Sequence, residues 1–306
     1  MSFRITKRLS SVGSLSPLFL FHNIREKEMS YKPQMGDALQ SPYSPSLKPL
    51  FRFPGGKSAD ICHFQDFFPK DYTCYVEPFI GGGAVFFHLN HPGPNVIADT
   101  NPDVINFYRQ VQEGRGPEIH TLVSSFANTR ENYLRVRDHL PWGSPLLSAF
   151  RFFFLRQTCF CGVEQYDRFG RFNTAWNSTS NPHVPSHLLL DPADIHLLGR
   201  TQIKFASFED TLLENDAPEV FCFLDPPYLE CQGKYHSTFG RKEHETLASI
   251  FNEVQSRCML VVSDCELMRE IYRGSIIGAY EKRYAMKKER HGRRAKHLII
   301  CNYENR

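Results

Sequence analysis

From Pro49 onward, short apolar runs alternate with amphipathic stretches. Thr73 to Val76 is a β-type run that closes on Glu77, Pro78 and the glycines Gly81, Gly82 and Gly83. Ala84 to Asn90 has a helical pattern. Asn95 to Ala98 is another strand, closing on Asp99, and Pro102 suits the first turn of a helix capped by Thr100 or Asn101. The rhythm returns late in the chain. Val220 to Leu224 is a buried strand ending at Asp225, His244 to Gln255 an amphipathic helix, and Met259 to Val262 a strand ending at Ser263 and Asp264. Strands alternating with helices predict an α/β fold built on a parallel, doubly wound sheet. Such a sheet takes its ligand outside the carboxyl ends of its strands.

Residues 110–200 interrupt this rhythm for about ninety residues, too long for a loop. They contain helical candidates, notably Ala149 to Thr158, followed by aromatic, basic and turn-prone sequence. The stretch reads as an inserted, mainly helical subdomain between 47–109 and 201–306. Residues 1–46 are rich in Ser, Pro and basic residues without a sustained period and read as a flexible extension. The greasy patch from Leu18 to Phe21 is too short for a secretory core.

Composition narrows the class. Of 306 residues, 41% are hydrophobic and 23% charged, as in an ordinary globular protein. No run approaches the 18 apolar residues that a membrane helix needs. Nine scattered cysteines with no CxxC pair read as reduced thiols in a cytoplasmic protein, with no metal site expected. A net charge of +3 says little until the charges are placed. Eight of the fifteen residues from Lys282 to Lys296 are cations, and Arg151, Arg156, Arg168 and Arg171 are interleaved with aromatics. Both groups suit phosphate contacts, though basic surface loops are also common without any ligand.

Three constellations carry chemistry. In the first, Gly81 to Gly83 permit a tight turn and a close backbone approach, and Asp99 stands where an acid binds ribose hydroxyls. That suits a dinucleotide or S-adenosylmethionine. The absence of GxGxxG fits the dinucleotide poorly, and Gly-rich turns are often only turns. In the second, Pro54-Gly55-Gly56-Lys57-Ser58 resembles a phosphate loop, but Phe51 stands where that motif needs glycine, which excludes ATP hydrolysis. The third, Asp225-Pro226-Pro227-Tyr228 at a strand end, is the strongest. Two prolines fix the backbone and leave carbonyls without competing N–H donors. The Asp225 carboxylate and the Pro226 carbonyl can accept both hydrogens of one exocyclic amine, while Tyr228 offers a flat face to a planar ring. Such a grip localises a conjugated nitrogen lone pair toward an electrophilic methyl group.

In this order the motifs resemble the Dam-type, alpha-class DNA adenine-N6 methyltransferases. The matching segments are Phe51 to Lys57, Val76 to Gly83, Ala98 to Asp103, Phe153 to Gly162 with Gly170 to Asn173, Asp225 to Tyr228, and Asn302-Tyr303. The resemblance implies a Rossmann-like S-adenosylmethionine-dependent fold that methylates the N6 amine of a flipped adenine in duplex DNA. It implies cofactor contacts at Phe53, Lys57, Glu77, Pro78, Phe79, Gly81, Gly83, Asp99, Asn101 and Asp225. Asp225, Pro226, Pro227 and Tyr228 become the catalytic group. Residues 110–200 become the DNA-recognition subdomain, and the expected DNA contacts are Arg156, Gln165, Arg168, Arg171, Asn173, Arg290, Arg293 and Arg294. The family's default is a monomer, in some members accompanied by a restriction endonuclease.

The chain departs from the family pattern in two places. Cys161 and Gln165 stand where the base-reading hairpin carries Asn and Arg, and Gln favours adenine where Arg reads guanine. The expected site is therefore GATC or a related sequence. His297 replaces an acid before the final apolar strand, a change expected to touch structure or DNA contact more than chemistry. Cytosine-N4 methylation and a DNA-binding relative without catalysis are the alternatives.

Overall fold

The computed structural model describes residues 46–140, 143–168, 171–178, 183–228, 239–284 and 293–304. The expected extension at residues 1–46 thus lies outside the described residues apart from Ser46.

Seven strands form one sheet in the order β3-β2-β1-β4-β5-β7-β6. They are β1 (Cys74–Glu77), β2 (Asn95–Asp99), β3 (Thr201–Phe205), β4 (Val220–Leu224), β5 (Arg257–Ser263), β6 (Ile276–Tyr284) and β7 (Arg293–Cys301). The first five run parallel, with Tyr75 opposite Asn95 on one side and Phe221 on the other. The strand order reverses between β1 and β4, which makes their carboxyl ends the switch point of a doubly wound sheet. β7 lies antiparallel between β5 and β6 and extends the expected parallel sheet.

The central strands read as continuous apolar runs because both faces are covered. On one face, Val76, Cys222, Leu224, Leu260 and Val262 pack against α7 (Phe208–Glu214), α8 (Arg241–Glu253) and α9 (Glu266–Ile271). Their alternate neighbours face the other way: Tyr75 and Phe223 meet Phe86 of α1 (Ala84–Leu89) and Phe64. No helix among the described residues is long and apolar enough to cross a membrane.

Residues 110–200 carry the end of α2 (Pro102–Gln112), then α3 (Gly116–Ser124), α4 (Arg130–Leu134), α5 (Pro145–Thr158) and α6 (Pro192–Gly199). Helix α5 begins four residues before the sequence expectation. The Ser144 hydroxyl accepts from Leu147 N at 3.2 Å and Pro145 fills the first helical position, both start signals. The helix is buried nearly all round. Phe153 stacks on Phe107 of α2 at 5.6 Å, and Phe150 and Phe154 flank Phe126.

Asn302 fastens the start of β5. Its carbonyl oxygen accepts from Cys258 N at 2.7 Å, and its amide donates to Phe251 O at 3.1 Å and Ser256 O at 3.0 Å. Tyr303 donates to Phe67 O at 2.8 Å. These contacts explain the Asn-Tyr pair as a structural clasp. Removing it strands one donor and two acceptors, so Asn302→Ala should lower unfolding stability by about 2–4 kcal/mol. Urea denaturation measures this, and a loss well under about 1 kcal/mol would show the clasp to be incidental.

Candidate active site

The strand ends at the switch point deliver their loops to one cavity of about 1200 Å³. β1 runs into Glu77–Gly83, β2 into Asp99–Asn101, and β4 into Asp225–Tyr228, while the loop Phe53–Lys57 closes the remaining side. All the residues expected to bind cofactor or act on the amine line this cavity.

Lys57 is the centre of the arrangement. Its side chain is only 3% exposed, and Nζ lies 2.5 Å from both carboxylate oxygens of Asp225. It also donates to the Tyr228 hydroxyl at 2.7 Å and to Gly55 O at 3.3 Å. Burial raises the Asp225 carboxyl, and the neighbouring ammonium of Lys57 opposes that rise. Tyr228 lies 5.4 Å from the buried ring of His297, which stacks on Tyr280 at 5.2 Å. Burial first, and then Lys57 and Lys282, push the His297 imidazole down to about 4, so it is neutral at pH 7. His297 is thus packing behind Tyr228, the structural half of its expected role. Lys282 closes this side by donating to Asp60 at 2.6 Å.

The glycines have a second use beyond the turn. Gly81 and Gly83 take φ values of +43° and +68°, which disfavour any side chain. The space above Gly81 and its neighbour Gly82 belongs to Phe53: a Cβ on Gly81 would stand 2.8 Å from its ring, and one on Gly82 2.7 Å from its Cβ. Arg156 also lies against Phe53, its guanidinium carbon 4.7 Å from the ring centroid. Asp99 accepts from Gly81 N at 3.0 Å and from Asn101 N at 2.8 Å. Asn101 caps α2 by accepting from Asp103 N at 3.0 Å. Desolvation still lifts the Asp99 carboxyl to about 6.

Glu77 is 3% exposed and accepts from Tyr75 Oη at 2.7 Å and Phe86 N at 3.1 Å. Desolvation pushes it up to about 8, against help from these donors. Glu77 is therefore mostly protonated at pH 7.

The expected DNA contacts divide. Antiparallel bridges between Cys159 and Trp176 and between Tyr166 and Phe172 bring residues 159–168 against 171–176 as a hairpin. Gln165, Arg168, Arg171 and Asn173 are exposed on this hairpin, and Arg171 pairs with Asp167 at 2.9 Å. Arg156 is placed differently. It is 2% exposed, forms a buried ion pair with Glu164 and donates to Gly162 O at 2.9 Å, so its guanidinium is turned into the protein. Arg290 lies outside the described residues, as do the side chains of Arg293 and Arg294, whose backbone belongs to β7.

Sequence reasoning missed four residues. Phe208 and Phe239 surround Phe79 with centroids 5.5–5.6 Å apart on the cavity wall, and no motif marks them. Glu164 and the 53% exposed Phe160 sit inside the hairpin segment, where an acid and an exposed aromatic were the available signals.

The sequence model of the D12 class N6 adenine-specific DNA methyltransferase family matches residues 53–290. The chain belongs to this family. It is 31% identical over 264 residues to the type II methyltransferase M.CviBI of Paramecium bursaria Chlorella virus NC1A, covering 84% of this chain and 100% of that one. It is 27% identical to the type II methyltransferase M1.LlaDCHI of Lactococcus lactis subsp. cremoris, covering 85% and 97%. To the DNA adenine methylase of Haemophilus influenzae it is 26% identical, covering 82% and 88%. This D12-class protein is an adenine-specific DNA methyltransferase, so the cytosine and non-catalytic alternatives give way.

Glu77 yields a prediction for stability. Its carboxyl ionises near 4.5 ordinarily and near 8 in the folded methyltransferase. The folded state therefore holds the proton more tightly, and its contribution is complete below the lower value and lost as pH rises through the higher. Glu77→Gln keeps the acceptor oxygen and removes the titration. The wild-type melting temperature should fall further than the variant's between pH 6 and 9. Parallel curves would place the Glu77 proton elsewhere.

Proposed function

We propose that the protein transfers the methyl group of S-adenosylmethionine to the N6 amine of an adenine flipped out of duplex DNA. The observation that carries this reading is the placement of Asp225–Tyr228 on the same cavity wall as Phe53, the glycine turn and Asp99. The residues fit the cofactor. Asp99 is a desolvated acid at the tip of β2 in reach of ribose hydroxyls, Phe53 supplies an aromatic wall, and the cavity exceeds a usual small-molecule pocket, leaving room for a base beside the cofactor. When bound, the cofactor supplies an electrophilic methyl on a sulfonium.

The chain's own groups do the rest. An adenine amine at the mouth of β4 donates to Asp225 and to the Pro226 carbonyl, and its ring lies against Tyr228. Lys57 opposes the rise that desolvation gives the Asp225 carboxyl and so favours the carboxylate form that accepts. Asp225, holding that amine, would take up the proton that the nitrogen releases on methylation. Residues 110–200 serve as the DNA-recognition subdomain, with Gln165, Arg168, Arg171 and Asn173 on its exposed hairpin. The site is GATC or a related sequence, and Gln165, better suited to adenine than to guanine, decides between them.

Transfer from labelled S-adenosylmethionine to unmethylated plasmid DNA tests the reading. Wild type should label adenine at one short sequence, which modified-base sequencing identifies. Asp225→Ala, which also leaves the Lys57 ammonium without its carboxylate, should lose about a hundredfold or more of the rate in protein still folded at the assay temperature. Near-normal transfer by that variant would remove Asp225 from the mechanism.

Lys57→Met tests the ammonium separately. Without the cation, the Asp225 carboxyl rises further, so the acid limb of the pH–rate profile should move to higher pH. A lower rate with an unmoved limb would mean that Lys57 acts only in binding.

A further inference from the structure

Glu164 occupies an unusual place in the wall of the molecule. It lines the 1200 Å³ cavity with Asp99 and Asn101, and also a second cavity of about 850 Å³ beneath the hairpin, bounded by Tyr166, Phe172 and Asn173. Within the wall, Glu164 forms the buried ion pair with Arg156 and accepts from Asn101 Nδ2 at 3.3 Å. Arg156 in turn lies over Phe53 and holds Gly162 O. One buried pair therefore touches the Phe53 wall, the cap beside Asp99 and the hairpin backbone on both sides of Val163.

The next residue carries the connection outward. Glu164 is buried and Gln165 exposed, as successive residues of an extended chain point to opposite sides. Gln165 N donates to the buried Thr174 hydroxyl at 2.9 Å, and Gln165 O accepts from Asn173 N at 2.7 Å. Asn173 is thus tied to Gln165, which follows directly in the chain on Glu164, the residue that faces the cavity.

We propose that the Arg156–Glu164 pair couples occupancy of the cofactor cavity to the order of the base-reading hairpin. This rests on the cofactor reading above. A ligand against Phe53 and Asp99 restricts the groups that Arg156 and Glu164 touch, and through them the backbone of residues 162–174. A hairpin already ordered demands less ordering when DNA arrives, so cofactor and DNA bind cooperatively. The effect is reciprocal: the cognate duplex tightens cofactor binding by the same factor. Arg156 and Glu164 are positioning residues in this scheme, since neither needs to touch the reacting atoms.

Hydrogen exchange on the full chain tests the coupling without turnover or a known recognition site. The probe is sinefungin, a cofactor analogue that transfers no methyl group. In wild type, saturating sinefungin should slow amide exchange across residues 163–176 by about fivefold or more, the lower range of allosteric coupling factors. The double variant Arg156→Met with Glu164→Gln removes both charges together and leaves neither buried alone. At sinefungin concentrations that saturate the variant by its own titration, it should show no slowed exchange in the hairpin. Protection that persists in the double variant would overturn the proposal, as would wild type binding sinefungin without any change in the hairpin. Lost sinefungin binding in a variant of normal melting temperature would make the pair a ligand contact, also overturning it. Wild type that fails to bind sinefungin would instead bring down the cofactor reading, and this inference with it.

Discussion

The ammonium of Lys57 against the carboxylate of Asp225 joins segments 168 residues apart, and the cavity takes its shape from that contact. A lysine has three protons to place, and here Asp225, the Tyr228 hydroxyl and Gly55 O receive them. The loop before the sheet, the end of β4 and the tyrosine that follows are thereby held at one point. Burying either charge alone would be costly, whereas together and fully hydrogen-bonded they are tolerated. The pairing also separates the two carboxyls of the cavity floor. Asp225 has a cation beside it, while Glu77 has only neutral donors at hydrogen-bond distance and retains its proton near pH 7.

Around this point the site is built by layers of rings and bare backbone. Gly81 and Gly82 are small because Phe53 rests on them, and Phe53 in turn carries Arg156. The order glycine, ring, guanidinium and carboxylate runs by direct contacts from the cofactor turn to the hairpin. A change of size at any layer is therefore felt by its neighbours, as in any close-packed interior.

Much of this was legible in the amino-acid pattern. β4 and the turns after β1, β2 and β4 announce themselves because a buried parallel strand is a solid apolar run and its active end is marked by Gly, Pro or an acid. β3 gave no such mark: Thr201 to Phe205 alternates, as a strand at the sheet's edge does. The β6–β7 ribbon was legible only at the apolar end of β7 after His297, for another reason. Its strands hold several of the cations between Lys282 and Lys296, and charge read as a surface loop where backbone pairing was decisive. The placement of Arg156 was not legible. An arginine among phenylalanines suits a phosphate contact, and the partners that turn it inward are Glu164 and, from far along the chain, the face of Phe53. Long-range partners of this kind leave no local period to read.

The order β5-β7-β6 means that the later of the two ribbon strands lies inside the sheet and the earlier one lies at its rim. During synthesis, β6 leaves the ribosome with no sheet edge of its own to join, and β5 remains an open edge until β7 arrives between them. Lys282 of β6, which holds Asp60 beside the Lys57 loop, can be brought into register only through that late strand. The switch-point strands β1 and β4 can pair much earlier in translation. The cavity floor is thus available to form while the chain is still growing, but the wall behind Tyr228 is among the final parts of the fold to close.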